Sequence, residues 1–349
     1  MSNLEKDPSE VELEDPSTSS GPGSTGSGTR LVGPGTGSVP EPVEGQIEIL
    51  EPRDVPLGGP RAMSVRRTLP QRSRSLIGAW CFVDHYGPDP VSSSGGMIVP
   101  PHPHTGLQTV SWLFAGEIEH RDSLGSHAIV RPGELNLMTA GRGIQHSEVS
   151  MPDTTVMHGA QLWIALPDAT RNSEPFFERF VPGPFEYSGA TVSVFLGGLL
   201  GHRSTARTFS RVIGAQLDVP ANTSIQLPVD ATFEHGLLVD DGIATVNGMA
   251  ATRAQLAFIP PGETTITIAA GAAPLRALLI GGEPLGEQII MWWNFIGRSH
   301  DEIVAFRSRW QNDVIDDHDE DSQFGRVRGY EGDALPAPAL PNVRLRPRT

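Results

Sequence analysis

Two short segments carry the residues most able to do chemistry: Pro101-His102-Pro103-His104 and His146-Ser147-Glu148. Each holds two metal-capable side chains at spacing i, i+2, and His104 and His146 stand 42 residues apart. Alternate residues of a strand point to one face, so each pair is presented in a single direction. If the two strands are neighbours, three imidazoles and one carboxylate converge, a ligand set for one divalent metal with positions left open. A lone His-x-His is an ordinary strand-edge pair; the second same-face pair is what makes a metal centre the better reading. Neutral imidazoles suit iron, zinc, copper, manganese or nickel, and the carboxylate hardens the site. A structural zinc site would be closed and richer in cysteine, so Fe(II) is favoured.

The elements that must position these residues read as strands. The chain has 349 residues, enough for two ordinary domains, and its Gly 39, Pro 31 and short apolar runs point to an all-β protein rich in turns. Structure is expected to begin near Gln46-Ile47-Glu48-Ile49-Leu50. Thr109 to Phe114, the turn at Ala115-Gly116 and the return through Glu117 to His120 read as a hairpin. The glycine-punctuated run Thr139 to Gln145 can bring the backbone close just before His146. After Val181-Pro182-Gly183-Pro184 a second strand series follows, and Gly242, a strand and Asn247-Gly248 echo the Gly116 region. Two similar β units in tandem are the simplest account. One helix is expected near the end, capped by Ser299 with Glu302 three residues on, and burying Ile303, Phe306 and Trp310.

Four segments follow: a disordered tail over 1–44, a metal-binding barrel over 45–182, a second barrel over 183–312 and a disordered tail over 313–349. The tails are polar and acidic, with too little apolar surface to offset the entropy of ordering. Much of the net charge of −15 lies in them. Lys6 is the only lysine and basic residues form no dense patch, which argues against direct binding of nucleic acid or an anionic membrane. Cys81 is the only cysteine, so no internal disulfide can form. Flanked by Trp80 and Phe82, it reads as a small core hydrophobe. No signal-like segment or spanning apolar run stands out, and a cytoplasmic location is expected.

The stretch from Pro101 to Glu148 resembles the pirin family of bicupins. The matching residues are Pro101-His102-Pro103-His104-x-Gly106, Thr109-Val110-Ser111, Gly116-Glu117-x-Glu119-His120-Arg121-Asp122-Ser123, and Met138 through Gly143-Ile144-x-His146-Ser147-Glu148. Gln161-Leu162-Trp163-x-x-Leu166-Pro167 and Glu287 to Trp292 fit as well. The resemblance spans roughly residues 46–312 and implies two tandem cupin-type β-barrels, with metal in the first alone. His202 and His235 in the second half are accordingly expected to be ordinary. Two departures stand out: Thr105 and Gln108 replace an arginine and a glutamate of the family pattern, suggesting an ion pair exchanged for a neutral hydrogen bond. Leu137 replaces a frequent tryptophan, which would widen the cavity. His120 and Asp122 stand either beside the site or on an exposed hairpin, and Trp112 and Trp163 are expected in the core.

What the resemblance implies for function is a metal-dependent dioxygenase of the quercetinase type, acting on flavonol-like aromatic substrates. His102, His104, His146 and Glu148 would hold the ion, with Glu148 also taking the substrate's hydroxyl proton. The rival, also associated with the family, is a non-enzymatic redox-sensing regulator that binds a protein partner.

Overall fold

The computed structural model describes residues 46–57, 63–319 and 321–348. The expectation of a disordered segment over 1–44 lies outside them.

Two β-barrels of the same topology make up most of the chain. In the first, a seven-stranded sheet runs in the order Phe176–Phe180, Leu135–Thr139, Leu107–Ala115, Val156–Ala165, Trp80–Pro90, Met63–Leu69, Arg53–Leu57. It faces a four-stranded sheet of Ile98–His104, Ile144–Ser150, Ile118–Asp122 and His127–Val130. The second barrel repeats both sheets strand for strand, with Leu256–Ile259, Glu234–Asp241, Leu275–Gly282, Val212–Val219 and Ala190–Leu196 forming the middle of its larger sheet. The tandem repeat suggested by the sequence is therefore a repeat of architecture.

One strand crosses the expected boundary. Glu48–Leu50, placed by sequence in the first barrel, pairs antiparallel with Leu256–Phe258 of the second. It occupies the sheet edge that Phe176–Phe180 fills in the first barrel. The pattern of a strand does not say which sheet edge is free to receive it.

The hairpin expected at Gly116 is also different. Leu107–Ala115 pairs with Leu135–Thr139 and Val156–Ala165, whereas Ile118–Asp122 pairs with Ile144–Ser150 and His127–Val130. The chain turns a corner from one sheet to the other rather than folding back on itself. Gly116 makes that corner at φ +87°, where a Cβ would lie 2.5 Å from the Val156 carbonyl oxygen. Gly242 does the same in the second barrel, at φ +85° and 2.4 Å from the Pro274 oxygen. The echo between these two glycines is real, and its meaning is a sheet-switching corner.

The barrels join through their large sheets. Val110, Trp112, Leu135, Leu137, Ala160 and Leu162 point out of the first barrel and pack on Phe195, Leu238, Leu256 and Leu278 of the second. Trp112 Nε1 donates to Gln216 Oε1 at 2.8 Å, and Trp80 Nε1 to the Gly281 carbonyl at 3.0 Å. Leu137 therefore belongs to this seam and does not line the barrel interior, contrary to the cavity expected there. The interior of the second barrel is filled mainly by apolar side chains, with His235 buried among them.

The helix His300–Trp310 forms as expected, with Ser299 Oγ accepting from the Glu302 amide at 3.2 Å and Ile303 and Trp310 buried. The segment after Asn312, expected as a disordered tail, instead packs back on the molecule. Phe324 is fully buried with Trp310, Trp292 and Phe295, joined by Ala337 and Leu345. Trp310 Nε1 donates to the Leu335 carbonyl at 2.8 Å, and the Leu335 amide to Pro101 at 2.8 Å. Its few apolar residues are widely spaced and show no period, so composition hid a strap whose side chains are used singly. Among the described residues no helix is long and apolar enough to cross a membrane.

Candidate metal centre

The strands carrying the two motifs are neighbours. Ile98–His104 pairs antiparallel with Ile144–Ser150, His102 opposite His146 and His104 opposite Ile144. Pairing slips between His146 and Glu148, which faces Val99 on one side and His120 on the other. The extra residue of that irregularity falls at Pro100-Pro101, where prolines without amide donors are tolerated.

His102, His104 and His146 converge inside the first barrel, all fully buried. Their ligand-type nitrogens lie within 4.8 Å of one another, and His104 Nε2 is 3.1 Å from His146 Nε2. Two nitrogens held at right angles about 2.1 Å from one ion would span about that edge. His102 Nδ1 donates to the Pro100 carbonyl at 2.9 Å, which leaves Nε2 as a buried lone pair with no partner among the described residues. Burial pushes the His102 pKa down to about 3 and those of His104 and His146 well below the usual imidazole value. Three neutral, inward-facing imidazoles with converging lone pairs fit a transition ion.

Glu148 is 1 % exposed, on the strand of His146, yet its carboxylate lies outside the tight group of three nitrogens. The sequence expectation of four converging ligands is met by the three histidines, with Glu148 beside them. Burial, with the Glu148 charge adding to it, pushes the Tyr86 phenol well above its ordinary pKa; its hydroxyl has no partner among the described residues.

His120 and Asp122 belong to the site's surroundings and not to an exposed hairpin. His120 stacks on Phe177 with centroids 4.6 Å apart, its Nδ1 is 3.3 Å from His146 Nδ1 and its Nε2 is 3.4 Å from Asp122 Oδ2. Trp163 is core, stacked on Phe82 at 4.0 Å, and also stands edge-on to His104 at 5.1 Å. Gln108 makes neutral hydrogen bonds, to Thr139 Oγ1 at 2.8 Å and the Arg207 carbonyl at 2.9 Å, and not to Thr105. Burial pushes the Cys81 thiol far up, as a core residue requires.

Sequence reasoning missed a second buried cluster. His85 and His158 of the first barrel place Nε2 at 2.6 and 2.5 Å from Asp240 Oδ1 of the second, while Arg276 Nε holds Oδ2 at 2.5 Å. These separations are those of charge-assisted hydrogen bonds, shorter than the edge of about 3 Å expected between ligands of one ion. The cluster is an electrostatic clamp between the barrels. Its members are scattered along the chain, so no local spacing could have announced it. His202 stacks on Phe185 and His235 is buried alone in the second barrel, neither in a metal-type group among the described residues.

Comparison with known proteins agrees with this architecture. Residues 62–164 match the Pirin family and residues 214–316 match the Pirin C-terminal cupin domain. A Pseudomonas aeruginosa protein described as "Putative quercetin 2,3-dioxygenase" is 40% identical over 303 residues, covering 86% of this chain and 93% of its own. A pirin-like protein of Caulobacter vibrioides is 34% identical over 261 residues, covering 71% of this chain and 88% of its own. The crystal structure of a quercetin 2,3-dioxygenase from Acinetobacter baumannii superposes with a TM-score of 0.80 at 39% identity, covering 86% of this chain and 97% of that one. On these matches and on the paired barrels, the chain belongs to the pirin family.

Proposed function

We propose that this chain is a metal-dependent dioxygenase acting on flavonol-type substrates, with His102, His104 and His146 as ligands to one divalent transition metal, Fe(II) foremost. Glu148 is the fourth ligand and the base. The observation that carries the reading is the convergence of three buried, neutral imidazoles beside a buried carboxylate. The naming of the Pseudomonas and Acinetobacter relatives supports the reaction class.

An ion held there supplies Lewis-acid activation of a phenolic hydroxyl and an electron path to dioxygen. The protein's own part is positional and protonic. Burial keeps the three imidazoles unprotonated, so their lone pairs stay available at neutral pH. A carboxylate oxygen of Glu148 takes the 3-hydroxyl proton of the flavonol and holds it, leaving an electron-rich enolate for reaction with dioxygen. The surrounding walls keep bulk water from that enolate.

The test is aerobic turnover of quercetin by the full chain loaded in turn with Fe, Mn, Ni, Cu or Zn. Loss of flavonol absorbance with matching oxygen uptake is expected. Tight metal binding without turnover of any flavonol would reject the enzyme and favour the redox-sensing regulator with a protein partner.

A further inference from the structure

Across the large sheet of the first barrel runs one row of polar side chains. In register it reads Asn136, Ser111, Gln161, Asp84 and Arg67, one residue from each of five neighbouring strands. All five are buried, at 3, 5, 1, 0 and 1 % exposure. Strand alternation fixes their direction. Val110, Trp112, Leu135, Leu137, Ala160 and Leu162, which flank the row, pack in the seam between barrels. The row therefore faces the barrel interior, on the side of Trp163, two residues beyond Gln161, whose ring meets His104.

The second barrel supplies an internal control. A row across its five corresponding strands reads Ala257, Leu237, Leu279, Ala215 and Val194, all apolar and buried. The same architecture thus closes this row without polar groups; among the described residues a buried polar side chain near it on that face is His235, two residues from Leu237.

Part of the polar row satisfies itself. Ser111 Oγ donates to Gln161 Oε1 at 2.8 Å, and Arg67 binds Asp84 through both oxygens at 2.6 and 2.8 Å. Gln161 Nε2 and both amide atoms of Asn136 remain buried without a partner among the described residues. Exchanging oxygen and nitrogen in the Gln161 amide leaves one of its atoms unpartnered either way. Buried polar groups in this condition are costly and need a partner, and here they face the same barrel interior as the histidines.

We infer that Asn136 and Gln161 form a subsite for the oxygens of a neutral, polyhydroxylated aromatic ligand, away from the metal end. The amides offer both donors and an acceptor, and Arg67 and Asp84 cancel each other, so hydroxyl and carbonyl oxygens fit and an anion does not. Trp163, stacked on Phe82 and standing beside the row, is the aromatic neighbour that a ligand ring would meet. The choice of a flavonol rests on the function proposed above; the subsite itself requires no turnover.

The test uses the full chain freed of metal, with quercetin and the analogue lacking B-ring hydroxyls as probes, followed by fluorescence quenching. Quercetin should bind about 5–10-fold more tightly, and Asn136→Leu and Gln161→Met should each remove most of that preference. Asn136→Leu should melt at or above the parent temperature, since it deletes an unsatisfied buried amide, whereas Gln161→Met also takes the acceptor from Ser111 Oγ and should melt slightly lower. Equal affinity of the unaltered chain for the two probes, or an unchanged ratio in a folded variant, overturns the subsite. A preserved ratio of probes together with absent turnover would instead overturn only the enzyme.

Discussion

His146 turns its Nδ1 to within 3.3 Å of His120 Nδ1, while its Nε2 lies 3.1 Å from His104 Nε2. One nitrogen of the ring thus faces the candidate metal and the other faces a second imidazole. For Nε2 to keep a lone pair, the His146 proton must sit on Nδ1 and be accepted by His120. The His120 proton is then on Nε2, pointing at Asp122 Oδ2 3.4 Å away. Asp122 is fixed in turn, its Oδ1 accepting from the Leu124 and Ser126 amides at 3.0 and 2.9 Å. Asp122→Asn would keep an oxygen on those two amides and turn its NH2 toward His120. The relay then reverses, and the His146 proton is driven onto its metal-facing nitrogen. Metal affinity, read by Ni(II) titration of the full chain, is expected to fall about 10–100-fold with the melting temperature nearly unchanged. Unaltered affinity in the folded variant would show that Asp122 does not set the tautomer.

The clamp between the barrels makes stability depend on pH. Burial lowers the pKa of His85, so the folded chain holds this ring neutral while the unfolded chain protonates it near pH 6.5. Burial would raise Asp240, but hydrogen bonds from His158 and His85 overcome that and hold its carboxyl well below the ordinary value. Both groups bind more protons in the unfolded state, so both withdraw stability as pH falls. The His85 contribution declines from about pH 6.5 downward and the Asp240 contribution below about pH 4. Melting curves of the parent and of His85→Phe should therefore converge on acidification. A constant gap between the two from pH 8 to pH 5 would remove His85 from the account.

Metal stoichiometry follows from the same contrast between the two clusters. The His102, His104 and His146 group has converging lone pairs, whereas His85, His158 and Asp240 already satisfy one another. Elemental analysis of metal-replete protein should give one transition ion per chain, and His146→Ala should give none. Two ions in the parent, or one retained in His146→Ala, would contradict this assignment.

The carboxy-terminal strap yields a stability prediction. Phe324 is buried among Trp310, Trp292 and Phe295, so Phe324→Ala should cost about 3–5 kcal/mol, as large aromatic deletions in a core do. Thermal melting would show it as a clear fall in midpoint. A midpoint equal to the parent's would mean that the strap does not contribute to the folded core.

Legibility in the sequence followed the range of the interaction. The i, i+2 pairs at His102/His104 and His146/Glu148 were readable because a strand's period alone determines which way they point. The Ser299 cap and the stripe of Ile303 and Trp310 were readable for the same reason. The destination of Glu48–Leu50, the packing of Phe324 and the meeting of His85 with Asp240 depend on which surfaces the finished barrels leave open. The polar row was half visible: Ser111, Asn136 and Gln161 each interrupt an apolar strand, and only cross-strand register joins them.

The last prediction separates two duties of Glu148. Its carboxylate is buried next to the three imidazoles yet outside their close group, a position from which it could hold the ion, move a proton, or both. Glu148→Gln keeps the size and a neutral oxygen ligand but removes the base. If the residue serves only to anchor the ion, metal content and turnover should fall together, and excess metal should restore both. If it also takes the flavonol proton, the variant reloaded to full metal occupancy should still bind quercetin and turn it over at least about 10²-fold more slowly. Supplying quercetin at higher pH, where the 3-hydroxyl is already ionised in solution, should then recover part of the lost rate in Glu148→Gln and add little in the parent. Full turnover by the metal-loaded variant at neutral pH would reject the proton-transfer role and leave Glu148 as a ligand.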